Sequence, residues 1–433
     1  MGRDSPVAPS PRLVAVFFAL FGLSDPLACG SAPSAGNEAP PRQGIVATGA
    51  AAGVLAPDAG SEAASVCVRP PDASAGMSAS DAAAAGRLGF PPAGGATDPG
   101  DAATEGGGRE SAPAPAAEID GETLPARLTA AGFTPPPGGF LAYVAELDLD
   151  DTRTRVIAER RYDWDGTSTA VGDWNPASTV KLYAAIAALL RIRALGFEPR
   201  ATLTFDAPGE DPRFTVAELV EAALGPSDNL AYDYLVVFAG FDELHERFFV
   251  PENGFRGTAL RVAYASGSWE RLGFSKFLRD SPAIAIEQDG RRRELPAAHG
   301  RATVRCSRAA CTTPVELAEA LLRVVLQERL PAERSYRLPN EDLDLLRGLL
   351  RSRRERGEEV VDRLRPWFGP ETLLYHKAGF AKEWYTDNVL IDDPSRPRVW
   401  VVVLAGYPGR SVLNDAADAV GRQLAAGGVG GAP

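Results

Sequence analysis

Three short motifs in fixed order carry residue types that together can transfer an acyl group: Ser178-Thr179-Val180-Lys181, Ser227-Asp228-Asn229 and Lys377-Ala378-Gly379. A serine hydroxyl is a poor nucleophile until a neighbouring base takes its proton. Residues three apart share a helix face, so Lys181 would lie one turn from Ser178. A lysine acts as a base only when its ammonium is destabilised, which burial and a second cation such as Lys377 would both do. Ser227 can then relay a proton towards the leaving nitrogen, while Asn229 can hold a substrate amide and fix Lys181. Gly379 would let a strand approach the substrate backbone, and the N–H groups of Ser178 and Phe380 would form an oxyanion hole. The chain has only four lysines (Lys181, Lys276, Lys377 and Lys382) among 45 Lys and Arg residues. A lysine where arginine is the default surface choice therefore points to chemistry, and two of the four stand in these motifs.

The elements that must carry the motifs are legible from pattern. Residues 140–147 and 155–162 are rich in strand formers around the turn-prone Asp148-Leu149-Asp150-Asp151, which predicts an antiparallel hairpin. Val180 to Leu190 is almost wholly apolar and reads as a helix buried on all sides. Helical spacing recurs at 215–224, 229–238, 314–327 and 340–351. Residues 372–380, 386–391 and 398–407 read as three consecutive strands, and 411–424 as a closing amphipathic helix. Between Phe255 and Arg305 the signal is weak and loops are expected. Two opening strands, a helical middle, three closing strands and a last helix predict an α+β fold, with one antiparallel sheet completed by both chain ends and helices packed against it.

Composition divides the 433 residues unevenly. The first 120 are rich in Ala, Gly, Pro and Ser, and all six Trp and ten Tyr lie beyond them, so only the second part can bury a core. Arg3 and Arg12 precede an eleven-residue apolar run, Leu13 to Leu23, which is too short to span a bilayer and reads as a signal-peptide core over residues 1–29. Leu27-Ala28-Cys29-Gly30 resembles a bacterial lipoprotein processing site, which would anchor the chain to a membrane through a lipidated Cys29; ordinary cleavage or a free thiol are the alternatives. Residues 30–120 show no sustained period and are expected to be a disordered linker. An exported protein of the periplasm or cell envelope follows. A net charge of −12, with arginines alternating with acids, speaks against a nucleic-acid partner. The runs Arg291-Arg292-Arg293-Glu294 and Arg351-Ser352-Arg353-Arg354-Glu355-Arg356 are expected on solvated faces. Cys306 and Cys311 are either a disulfide formed after export or two buried thiols. With His299 they lack the paired spacing of a zinc site, so no metal is expected.

From about Leu124 to Ala426 the chain resembles the class A β-lactamase and penicillin-binding superfamily of serine hydrolases. The resemblance rests on the three motifs, the helix leading into Ser227, the end strands, and Cys311-Thr312-Thr313-Pro314 before a long helix. It implies a catalytic domain over about 124–427 with the site between sheet and helical region, and no cofactor. By the resemblance Ser178 is nucleophile, Lys181 base, Ser227 relay, Asn229 orienting amide and Lys377 electrostatic anchor. The chain is read as a monomer acting on a small molecule, a β-lactam or, alternatively, a peptidoglycan peptide; a binding or sensor module of the same fold is a third reading. Two departures stand out. Family members usually carry hydroxyl residues one and three places after the third-motif lysine to hold the substrate carboxylate, whereas this chain has Ala378 and Phe380. The loop that carries the deacylating glutamate in class A enzymes aligns with Leu260-Arg261-Val262-Ala263-Tyr264-Ala265-Ser266, which holds no acid. Glu270 is the nearest candidate; the alternative is a surface glutamate paired with Arg271.

Overall fold

The computed structural model describes residues 118–430 except 173, 210, 354–358 and 410. The expected leader, Cys29 and nearly all of the expected linker lie outside these residues. The fold opens earlier than expected, with strand β1 (Ile119–Asp120) running parallel to β3, followed by α1 (Thr123–Ala130). β2 (Gly139–Leu149) and β3 (Val156–Asp163) form the antiparallel hairpin.

A 3₁₀ turn, Ala177–Val180, leads directly into α2 (Lys181–Ala194), in which eleven of fourteen residues are buried. Strands β4 (Thr202–Phe205) and β5 (Arg213–Thr215) precede α3 (Val216–Leu224). Thr215 caps α3 through a reciprocal box, its hydroxyl accepting from the Glu218 N–H while Glu218 accepts from the Thr215 N–H. α4 (Asn229–Ala239) starts at Asp228, whose carboxylate accepts the Ala231 N–H at 2.7 Å.

The stretch expected to be loops is only partly so. It contains a one-turn helix, Ser266–Arg271, and a hairpin of β6 (Ile284–Gln288) and β7 (Arg291–Leu295), which joins β4 and β5 in a separate sheet ordered β5-β4-β6-β7. The hairpin turn is Asp289-Gly290, both at positive φ (50° and 78°), a pairing typical of two-residue turns. β7 is an exposed edge of arginines, so it shows no hydrophobic alternation to read.

After α5 (Pro314–Val325), α6 (Asn340–Leu350) and α7 (Glu359–Leu364), the chain returns to the main sheet. There β8 (Leu373–His376), β9 (Gly379–Ala381), β10 (Trp384–Asp392) and β11 (Arg398–Tyr407) are followed by α8 (Asn414–Ala425). The strand expected over 372–380 is interrupted at Lys377-Ala378 without losing register, since His376 lies opposite Val389 and Gly379 opposite Thr386. The order β1-β3-β2-β11-β10-β8, with β9 also on β10, places strands from both chain ends side by side.

Alternate residues of the central strands feed two cores. Tyr143, Ala145, Leu147, Val401 and Val403 face α2 and the helical region, while Ala142, Val144, Val402 and Leu404 pack with residues of α1, α7 and α8. The α+β fold is therefore the one expected, with helices covering both faces of the sheet. α2 runs through the larger core, and the 3₁₀ turn that leads into it lies against β9.

Candidate active site

The turn before α2 presents Ser178 to a cleft of about 380 Å³, whose walls also include Ser227, Lys377, Ala378, Gly379 and Phe380. All three motifs therefore meet in one place. Ala177 (φ 48°) and Ser227 (φ 64°) both hold a left-handed backbone that non-glycine residues adopt only at a cost, and such strain clusters at functional sites. Gly379 explains how β9 comes so close: a Cβ there would lie 2.6 Å from the Ser178 nitrogen and 2.9 Å from the Pro176 carbonyl oxygen. No other residue fits without displacing the backbone that bears Ser178. The N–H groups of Ser178 and Phe380 thus belong to two segments in direct contact.

Lys181 is fully buried and Lys377 nearly so. Lys181 Nζ donates to the Ser227 carbonyl, to Asn229 Oδ1 at 2.7 Å and to Ser227 Oγ at 3.3 Å. Lys377 Nζ donates to the same Ser227 Oγ at 3.0 Å and to the Ala378 carbonyl at 3.0 Å. Ser227 Oγ therefore bridges the two amines. Burial, and then the Lys377 charge, bring Lys181 down from 10.5 to about 7 against the opposing pull of Asp228 and Asp233. Burial brings Lys377 down to about 8, with Asp387 opposing. Among the described residues Ser178 Oγ makes no hydrogen bond. The three N–H bonds of a Lys181 ammonium match its three acceptors; losing one proton removes a donor and leaves a lone pair free to take up a proton.

Asn229 is exposed and its oxygen is engaged by Lys181, which leaves its NH₂ to face a ligand. Phe380 is 46 % exposed at the cleft. The neighbouring His376 is tied to the fully buried Asp387, with Nδ1 3.1 Å from a carboxylate oxygen. Asp387 thus supplies countercharge beneath Lys377.

A profile of the beta-lactamase enzyme family matches residues 170–426, a span that contains every one of these groups. The chain belongs to the beta-lactamase enzyme family. Solved structures with a similar fold include a class A β-lactamase from Bacteroides cellulosilyticus (12 % identity, 71 % of this chain and 99 % of that one, TM-score 0.45). A class A β-lactamase from Mycobacterium abscessus (19 %, 69 % and 96 %, TM-score 0.42) and an acyl-enzyme complex of PBP-A with penicillin G (14 %, 72 % and 99 %, TM-score 0.43) are also similar. No curated protein sequence matches. As a member of this family the chain is a β-lactamase-like serine hydrolase.

Within this β-lactamase-family domain, the candidate deacylating acid is not where it would be needed. Glu270 is exposed on the one-turn helix and does not line the cleft; its neighbour Trp269 is the residue that turns inward. Nor does Arg271 pair with it; that guanidinium donates to Ser268 Oγ at 2.8 Å. The 260–266 loop instead presents Tyr264, whose hydroxyl donates to the Ala177 carbonyl at 2.9 Å, one residue before Ser178.

Two site residues were missed by the motif reading. Asp233 lies one turn beyond Asn229 on α4, is fully buried, and accepts the Tyr264 and Ala265 N–H groups at 2.8 Å each. Burial outweighs those bonds and pushes its carboxyl up to about 7. A lone acid in the apolar run Leu230-Ala231-Tyr232-Asp233-Tyr234-Leu235 was the available signal. The second is Arg351, expected on a solvated face, which is exposed but also lines the cleft.

Farther along, Cys306 and Cys311 are joined by a disulfide. It precedes Thr312, whose hydroxyl pairs with the Tyr183 hydroxyl of α2 at 2.8 Å, and Thr313, which caps α5.

Proposed function

We propose that this protein opens β-lactams by forming an acyl-enzyme on Ser178, and releases the product to water. The observation that carries this reading is the convergence of Lys181 and Lys377 on Ser227 Oγ, both buried and both below the ordinary lysine range. Neutral Lys181 takes the Ser178 proton as the hydroxyl attacks the lactam carbonyl. The developing oxyanion is held by the N–H groups of Ser178 and Phe380. Ser227, bonded to both amines, passes a proton to the lactam nitrogen as the ring opens, with Lys377 keeping the local field positive. Asn229 orients the substrate amide. In deacylation no carboxylate from the 260–272 loop lines the cleft among the described residues, so Lys181 is also the base for the incoming water, and turnover should be slow.

Nitrocefin hydrolysis by the purified domain tests this reading, with Ser178→Ala as control. A burst followed by slow turnover is expected; the absence of both burst and turnover would overturn it. The missing loop acid also favours a second reading, a penicillin-binding D,D-peptidase, in which the acyl-enzyme formed with penicillin persists. An adduct on Ser178 that outlives minutes by intact mass selects that reading. For either activity we propose export to the periplasm or cell envelope, supported by the leader-like residues 1–29, and an anchor at Cys29. Metabolic labelling with a palmitate analogue, lost in Cys29→Ser, tests the anchor.

A further inference from the structure

Four ionisable residues line the cleft among the described residues: Arg351, Glu359, His376 and Lys377. Two are already engaged, His376 by Asp387 and Lys377 by Ser227 and Ala378. The other two are not. The Arg351 guanidinium makes no hydrogen bond or ion pair among the described residues. Glu359 makes no ion pair there either, and one of its carboxylate oxygens is buried without a hydrogen-bond partner. Opposite charges sharing one cleft would be expected to pair with each other, yet no ion pair joins these two.

Their placement is fixed by the fold. Arg351 ends α6, where its backbone N–H donates to the Arg347 carbonyl at 2.9 Å and its backbone bridges Tyr375, two residues before Lys377. Glu359 opens α7, which packs into the core through the fully buried Val360 and Val361. Both belong to the stretch that leads into β8 and Lys377, and so to the same wall of the cleft as the third motif. It is also the side on which Ala378 and Phe380 offer no hydroxyl to a carboxylate.

We propose that Arg351 and Glu359 form a two-pronged subsite for a substrate whose departing part carries both a carboxylate and a cationic arm. Arg351 takes the carboxylate through its planar fork of N–H donors. Glu359 takes the cation, and a buried acceptor that now has no partner gains one. A D-amino acid with a basic side chain and a β-lactam with a cationic substituent beside its carboxylate share this chemistry. The subsite rests on reading the cleft as an acyl-transfer site, so its test is kept separate from acylation.

In the Ser178→Ala protein, which cannot be acylated, calorimetry would compare acetyl-D-Ala-D-Lys, acetyl-D-Ala-D-Ala and acetyl-D-Ala-D-Ala amide. The D-Lys peptide should bind roughly tenfold tighter than the D-Ala peptide, and the D-Ala acid roughly tenfold tighter than its amide. Arg351→Ala should erase the acid-over-amide preference and Arg351→Lys should keep part of it; Glu359→Gln should erase the D-Lys preference. Thermal melts report whether each variant stays folded. If none of the peptides binds, if no preference exists, or if both variants weaken all three peptides alike, the subsite is wrong. Intact mass of the unmodified chain after penicillin treatment reads the acyl-transfer reaction independently. An adduct without the preferences sinks only the subsite, and the preferences without an adduct sink only the reaction.

Discussion

Replacing Lys181 with methionine should abolish acylation and yet stabilise the fold at neutral pH. Lys181 is 0 % exposed, and its ammonium falls from 10.5 to about 7 on folding. Below pH 7 the folded chain carries a proton that the unfolded chain holds far more readily, a cost of about 5 kcal/mol at about 1.4 kcal/mol per pH unit. The sign follows from that order. The penalty is whole below the folded value, fades as pH rises from 7 towards 10.5, and is about 1 kcal/mol at pH 10. Against it stand the hydrogen bonds to the Ser227 carbonyl, Ser227 Oγ and Asn229 Oδ1, together worth about 2 to 3 kcal/mol. Methionine refills most of the volume without a charge. Lys181→Met should therefore be about 2 kcal/mol more stable at pH 7, a rise of several degrees in melting temperature, and less stable than the parent near pH 10. Urea unfolding of both proteins at the two pH values measures the crossover. A variant less stable at pH 7, or a gap that does not move with pH, would refute the buried-amine argument.

In the proposed reaction the same two amines set the pH dependence. Acylation needs Lys181 neutral and Lys377 charged, so kcat/KM for nitrocefin should rise through about 7 and fall through about 8, a narrow bell whose limbs belong to the coupled pair; a flat profile from pH 5.5 to 9.5 would contradict this. Gly379→Ala should lower kcat/KM by at least about a hundredfold, because the new methyl must displace the Ser178 nitrogen or the Pro176 carbonyl. Stopped-flow acylation beside a thermal melt would separate that loss from unfolding. Glu270→Gln should leave the acyl-enzyme lifetime within about twofold, as an exposed residue outside the cleft should; a lifetime extended tenfold in time-resolved mass spectra would return Glu270 to the mechanism.

Where sequence reading worked, one periodicity or one scarce residue type carried the message. α2 was visible because Val180 to Leu190 is apolar on every side, and Lys181 and Lys377 because lysine is rare in this chain. β2 and β11 were visible because Phe140 to Ala145 and Val399 to Ala405 are near-continuous apolar runs, and β10 through Val389-Leu390-Ile391; β3, with Glu159, Arg160 and Arg161 at its centre, was visible mainly through the turn-prone acids that precede it. β6 and β7 were missed because one of the two is an exposed arginine edge, although Asp289-Gly290 marked their turn. Arg351 was misplaced for a different reason. A basic run reads as solvated, and nothing in the run itself records that the end of α6 is pinned to Tyr375 beside the Lys377 strand. Asp233 belongs to none of the three motifs, since its role arises from α4 passing under a loop more than thirty residues further along.

Asp233 bears on why two depressed lysines can share one pocket and still do chemistry. In the proposed reaction, when Lys181 takes the Ser178 proton a cation appears where burial and Lys377 both disfavour it, and that cost would add to the acylation barrier. Asp228 and Asp233 act in the opposite direction, and Asp233 is already oriented by two backbone N–H groups, so its field costs no reorganisation during the reaction. Its own carboxyl lies near 7, the same range as the amine, so the acid loses its proton in the pH window where Lys181 must gain one. The N–H groups that hold Asp233 belong to Tyr264 and Ala265, and the Tyr264 hydroxyl in turn holds the Ala177 carbonyl. The loop around Tyr264 and Ala265 is thereby bound on one side to the countercharge for Lys181 and on the other to the turn that carries Ser178. Its contribution in this chain would fall on acylation, through the position of Ser178 and the charge balance at Lys181.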